Sequence, residues 1–94
     1  MTAAERKEYN HDRHLAWRAR KKGATEVKFV QRIKVAERDS WTCKLCRKPI
    51  PKDPQDQRLR ASLDHIIPLS KGGSHTYENS QITHVVCNLL KADK

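Results

Sequence analysis

Residues 63–91 read LDHIIPLSKGGSHTYENSQITHVVCNLLK, and two residue sets threaded through this stretch and the turn before it decide how the chain folds. The first set is Cys43, Cys46, His84 and Cys87, two pairs each with two residues between the members. The second is Asp64, His65, Asn79 and Asn88. Cys87 and Asn88 are neighbours, so the last member of each set lies on the same turn of chain, and whatever holds one positions the other.

The first set has the spacing of a metal clamp. Two soft or borderline ligands separated by two residues can grip one ion from a tight turn, and two such pairs complete a tetrahedron, the geometry zinc prefers. With all four positions filled by protein the ion has no place for substrate, so the expected Zn²⁺ is structural. Structural zinc contributes about 10–16 kcal/mol in small zinc peptides, against roughly 5–15 kcal/mol of total stability for a typical domain. Loss of the ion is therefore expected to unfold residues 39–94. The 37 residues between Cys46 and His84 are too many for an ordinary zinc finger, which points to a functional insertion.

Composition agrees. Ninety-four residues make one small domain, and one Phe, two Trp and two Tyr leave it short of large core side chains, so a metal staple is expected. Three cysteines cannot pair completely, and no charged-then-apolar leader opens the chain, so a cytoplasmic, reducing location is expected, the host cytoplasm if the protein is phage-encoded. No apolar run approaches the roughly 18 residues of a membrane span. Lys and Arg number 20 against 11 Asp and Glu, a net charge of +9 that favours a polyanionic partner, nucleic acid first. Residues 1–38 carry 11 basic and 5 acidic side chains, so this third is the expected docking arm, and residues 39–94 the expected second domain.

Local patterns predict a polar, basic helix or partly ordered arm over 3–22, ended by Gly23, and a second helix over 25–38 with Thr25 as its cap and Val27, Val30, Ile33 or Lys34, and Ala36 on one face. Residues 41–43 should be extended. Pro49, Pro51 and Pro54 exclude a regular element over 49–57. A strand within 59–67 stopped by Pro68, a glycine loop over 70–78, a short strand at 81–83 and a closing helix over 86–94 with Leu89 and Leu90 inward complete the expectation. Trp17 and Trp41 are expected to pack, Lys91 to be a solvated lysine, and His75 to hydrogen-bond within its loop.

The second set carries the chemistry. A neutral histidine accepts a proton from water near pH 7, and a carboxylate beside it can hold a divalent cation, the minimum for metal-assisted attack on a phosphodiester. Residues 63–91 resemble the core of HNH endonucleases, specifically the zinc-clamped kind common in phage genomes: the Asp64–His65 pair, the double glycine, Asn79 and the Cys87–Asn88 pair occur in the family's order and spacing. The resemblance covers residues 39–94 and says little about 1–38. It implies an α+β, ββα-metal (His-Me finger) domain, which the basic helices read from local pattern would precede. It also implies that His65 is the general base, that Asp64 and Asn88 hold one catalytic divalent cation, Mg²⁺ or Mn²⁺, and that Asn79 braces the loop and orients His65. Asn88 stands where many members have His, and His84 where a third cysteine is usual. The expected function is metal-dependent hydrolysis of DNA with weak sequence specificity, by nicking or double-strand cleavage, in phage-type DNA processing, with phage packaging or recombination proteins as further partners. The alternatives are a zinc-stabilised DNA-binding or packaging adaptor with little nuclease activity, and an RNA-directed nuclease.

Overall fold

The structure is a computed structural model and describes residues 2–92. Helix α1 (Ala3–Lys21) begins at a reciprocal cap: Thr2 Oγ1 accepts the Glu5 amide at 3.1 Å while the Glu5 carboxylate accepts the Thr2 amide at 3.3 Å. Arg18, Arg20 and Lys21 occupy its last turn, where cations offset the partial negative charge of the unpaired carbonyls. Its apolar face is thin, with only Asp12 and Ala19 buried. Trp17, expected to pack, is instead 53% exposed; it lies two residues before Ala19, about 200° around the helix, where His14 stacks on it at 6.0 Å and the Lys21 ammonium sits 5.4 Å from the ring centroid.

The predicted helix over 25–38 forms only as α2 (Arg32–Arg38). Residues 26–28 are extended because they pair with the glycine loop: His75 N–H donates to Glu26 O at 2.7 Å and Lys28 N–H to His75 O at 2.9 Å, forming a parallel bridge between Val27 and His75. Thr25 is not a cap; its hydroxyl donates to Gly72 O at 3.1 Å. Helical periodicity in 27–36 loses to the need of a buried loop backbone for partners.

After α2, Trp41 N–H donates to Ala36 O, and Ser40 and Trp41 both take left-handed φ values, 57° and 50°, so the expected extended piece is reduced to a bridge between Thr42 and Pro49. The proline loop carries no helix or strand until a single 3₁₀ turn at Gln57–Leu59. Strands β1 (Ala61–His65) and β2 (Ser80–His84) pair in a two-stranded sheet. Ile66 N–H donates to Asn79 O and Val85 N–H to Arg60 O, which fixes an antiparallel register with Ser62 opposite Thr83 and Asp64 opposite Gln81. Helix α3 (Val85–Ala92) follows β2 with no intervening loop. Strand, strand and helix make the ββα unit of an α+β fold.

The chain forms two compact units, one from residues up to Gln31 with His65–Ser80, the other from Arg32–Asp64 with residues from Gln81 on. The second has the apolar core: Val35, Ala36, Cys43, Ile50, Ala61 and Ile82 are buried. Asp39 locks this unit by accepting Ile82 N–H at 3.0 Å. Burial pushes its carboxyl up, but the Arg38 guanidinium and the Ile82 amide outweigh that and hold it below the ordinary 3.8. The first unit buries Ala19 and Val30 but also Asp12, His75, Thr76, Asn79 and Ser80, so hydrogen bonds carry much of its structure.

The double glycine has two separate reasons. Gly72 has φ 88°, and Gly73 packs so closely on Ile67 and Pro68 that a Cβ would fall on their carbonyl oxygens. We expect Gly73→Ala to destabilise the protein by about 2–4 kcal/mol, since backbone cannot move aside as a side chain can, and Gly72→Ala, which meets open space, by about 1 kcal/mol. Denaturant unfolding of the two variants checks the order; equal losses would contradict the packing argument.

Candidate functional site

Cys43 and Cys46 flank a tight turn closed by Arg47 N–H on Cys43 O at 2.9 Å, with Arg47 left-handed at φ 67°. His84 ends β2 and Cys87 lies in the first turn of α3. Their four ligand atoms all fall within 4.8 Å of one another. Tetrahedral zinc, with Zn–S near 2.3 Å and Zn–N near 2.0–2.1 Å, puts sulfur about 3.6 Å from nitrogen; His84 Nδ1 is 3.4 Å from Cys46 Sγ and 3.8 Å from Cys87 Sγ. His84 Nε2 lies 3.0 Å from Pro49 O, which takes the ring proton on that side and leaves the Nδ1 lone pair for a metal.

The electrostatics of the group call for a cation. Burial raises the Cys43 thiol, but the N–H groups of Cys46 and His84, at 3.5 and 3.4 Å from its sulfur, and that of Leu45 outweigh this and bring it down to about 6. Cys87 is pushed up to about 12, by burial first and then by Cys46 and Cys43 beside it. Three thiolates cannot crowd together unaided, and a divalent ion removes the conflict. The group could hold a structural zinc.

Around Asp64 the second unit builds a different arrangement. The Asp64 side chain is 7% exposed, and its Oδ2 accepts Lys91 Nζ and Gln81 Nε2, each at 2.8 Å. Lys91, expected to be solvated, is thus an ion-pair partner, a cation already on the carboxylate, brought there because α3 is rotated to present residues 87, 88 and 91 towards β1 and the clamp. That rotation also overturns the inward expectation for Leu89 and Leu90, which are 63% and 62% exposed. Asn88 Nδ2 donates to Ser62 Oγ at 3.0 Å and Leu63 O at 3.3 Å, so its amide nitrogen is used on β1 and its oxygen is the atom left for a ligand.

In the first unit, Asn79 ties the glycine loop shut. Its Nδ2 donates to Ile67 O at 3.0 Å and Ser74 O at 2.7 Å, while its Oδ1 accepts Ile67 N–H at 2.9 Å. All three bonds go to backbone. His65 Nε2 is 2.9 Å from Nδ1 of His75, whose ring is fully buried. The structure therefore brings Cys43, Cys46, His84 and Cys87 together as one donor set, puts Asp64 and Asn88 in the unit that contains it, and puts His65 and Asn79 in the other. Gln81 was missed by the sequence reading. Strand register was the signal that could have found it, since residues opposite one another across a pair touch.

A ββα unit with an Asp–His pair at the end of its first strand, beside a Cys43, Cys46, His84 and Cys87 donor set that could hold a zinc, has the make-up of a small nuclease domain. The HNH endonuclease family model matches residues 43–94, more than half of the chain, and the chain belongs to that family. Comparison with curated proteins and with solved structures gave no match.

Removing one clamp ligand should remove the ion and the fold together. For Cys46→Ser, and for wild type stripped by a strong chelator, we expect loss of bound zinc and of the cooperative unfolding transition, read by metal analysis and thermal melts. A folded, zinc-free Cys46→Ser protein would refute a structural clamp.

Proposed function

We propose that the protein is a divalent-metal-dependent endonuclease that hydrolyses DNA. The observation that carries the reading is the consecutive Asp64–His65 pair within the matched HNH segment, with the Asp64 carboxylate buried and already neutralised by an ammonium. Family membership supports nuclease activity in general and DNA as substrate. In this reading His65 takes the proton from the attacking water. Asp64 and Asn88 offer two oxygens to Mg²⁺ or Mn²⁺, which supplies positive charge at the scissile phosphate. The Asp64–Lys91 pair supports a cation site, because it shows a buried carboxylate that draws positive charge to itself. Asn79 holds the loop so that His65 keeps its place. No helix among the described residues is long and apolar enough to cross a membrane.

The basic N-terminal region, 1–38, is proposed as the DNA-docking arm, through the cations of α1 and the exposed Trp17 with His14 and Lys21 on its faces. Among the described residues no dedicated recognition module stands beyond it, so contacts to phosphate should dominate and sequence preference should be weak. One active centre per chain favours nicking, in phage-type DNA processing.

A plasmid assay tests the reading. We expect metal-dependent relaxation of supercoiled DNA in Mg²⁺ or Mn²⁺, none in EDTA, and a loss of about 10²–10⁴-fold in rate for His65→Ala. Undiminished nicking by His65→Ala would sink the assigned base, and a wild type inert on DNA and on single-stranded RNA with every metal would favour the adaptor. DNA affinity should fall steeply with salt, and by more for the full chain than for a variant with Arg18, Arg20 and Lys21 changed to Ala. Equal slopes would remove the docking role from α1.

A further inference from the structure

His75 is a polar ring with no exposure, in the place where an apolar one would be cheaper. Its Nδ1 lies 2.9 Å from His65 Nε2, and its Nε2 is buried with no hydrogen-bond partner among the described residues. Its backbone is fixed on both sides by Glu26 O and Lys28 N–H. Burying an aromatic ring with one nitrogen unsatisfied costs free energy. The single polar contact the ring makes in return is to His65.

One proton lies between the two nitrogens, and its position decides what His65 can do. If His75 donates, His65 carries its own proton on Nδ1 and its lone pair points at His75, so it cannot deprotonate water. If His65 donates from Nε2, the basic lone pair of its ring is the one on Nδ1. Burial first, and His65 second, push His75 down to about 4, which keeps the ring neutral and able to accept.

We propose that His75 is a positioning residue for catalysis: its Nδ1 accepts the Nε2–H of His65 and so holds His65 in the tautomer whose Nδ1 takes the proton from the attacking water. The proposal rests on the nuclease reading of His65. The water proton passes to His65 Nδ1, and the water oxygen bonds phosphorus. The bond from phosphorus to the 3′ oxygen breaks, and that oxygen leaves with the electron pair and is protonated from solvent. The unpartnered His75 Nε2–H is the cost of this tautomer, since an orphaned buried N–H is less favourable than an orphaned acceptor. Local rules are broken in this way where function requires it.

Two variants and one spectrum test this. His75→Asn keeps an acceptor oxygen near the position of Nδ1; His75→Phe keeps the ring and removes the acceptor. Nitrogen-15 spectra of the His65 ring in wild type, at a pH where it is neutral, should show the Nε2–H tautomer, retained in His75→Asn and lost in His75→Phe. Turnover should stay within about three-fold in His75→Asn and fall roughly 10- to 100-fold in His75→Phe, a part of what a general base contributes, with KM for DNA within about two-fold and zinc content unchanged. An Nδ1–H tautomer in wild type, or wild-type turnover by a folded His75→Phe, overturns the proposal. Should both variants fail to fold, the wild-type spectrum alone decides it. An Nε2–H tautomer in a wild type that cleaves nothing overturns the nuclease reading instead, and the assigned role of His75 falls with it.

Discussion

Four ligand atoms confined within 4.8 Å are the constraint on which the second unit turns. His84 ends β2 and Cys87 sits one turn into α3, with no loop between strand and helix. A helix that starts directly from a strand has one free variable, its rotation about its own axis, and two donors committed to one ion would remove it. Everything that α3 does follows from that angle. Asn88 reaches β1, Lys91 reaches Asp64, and Leu89 and Leu90 are turned out to solvent although they are among the most apolar residues of the helix. The placement of the four donor atoms here overrides hydrophobic preference. Exposing two leucines forgoes about 1.5–3 kcal/mol each, a loss that zinc binding at about 10–16 kcal/mol can absorb.

The first unit solves a different problem with different means. It has few apolar residues to bury, and its enclosed side chains are largely polar. Asn79 satisfies three backbone groups of the 66–74 loop, Gly73 lets two backbone segments touch, and residues 26–28 supply partners for both sides of His75. A network of this kind is sensitive to each member, because a half-satisfied buried group costs more than an absent one. Polar loops of this sort position side chains closely but contribute little net stability of their own.

Much of this was legible in the sequence, for a physical reason. Ligand spacing in the clamp is a local covalent fact, and so Cys43, Cys46, His84 and Cys87 could be read as one group; proline and glycine likewise announced the loops on either side of β1. The extent of α1 and the two strands also followed from local pattern. The failures share a cause as well. The helix expected from Thr25, the packing expected of Trp17, the inward Leu89 and Leu90 and the solvated Lys91 all depend on which distant segment lies alongside, and periodicity is silent on that. Val27 and Val30 carry the same spacing whether they line a helix or bridge to His75, 48 residues away from Val27 in the chain. Asp64 and Gln81 are 17 residues apart, and only the register of the sheet makes them partners.

The threading of the two units has a consequence during synthesis. The chain leaves the first unit after Gln31, returns to it at His65 and leaves again after Ser80, while the clamp waits for His84 and Cys87. Domains otherwise tend to fold in order as they emerge, but here the first unit cannot close before Ser80 is made, nor the clamp before Cys87. Residues 26–28 have no partner until the glycine loop is out, and Cys43 and Cys46 hold only half a coordination shell until the strand and helix that follow have been made. The loop network and the clamp therefore both wait on the stretch from His65 to Cys87, and the two are completed close together in the order of synthesis.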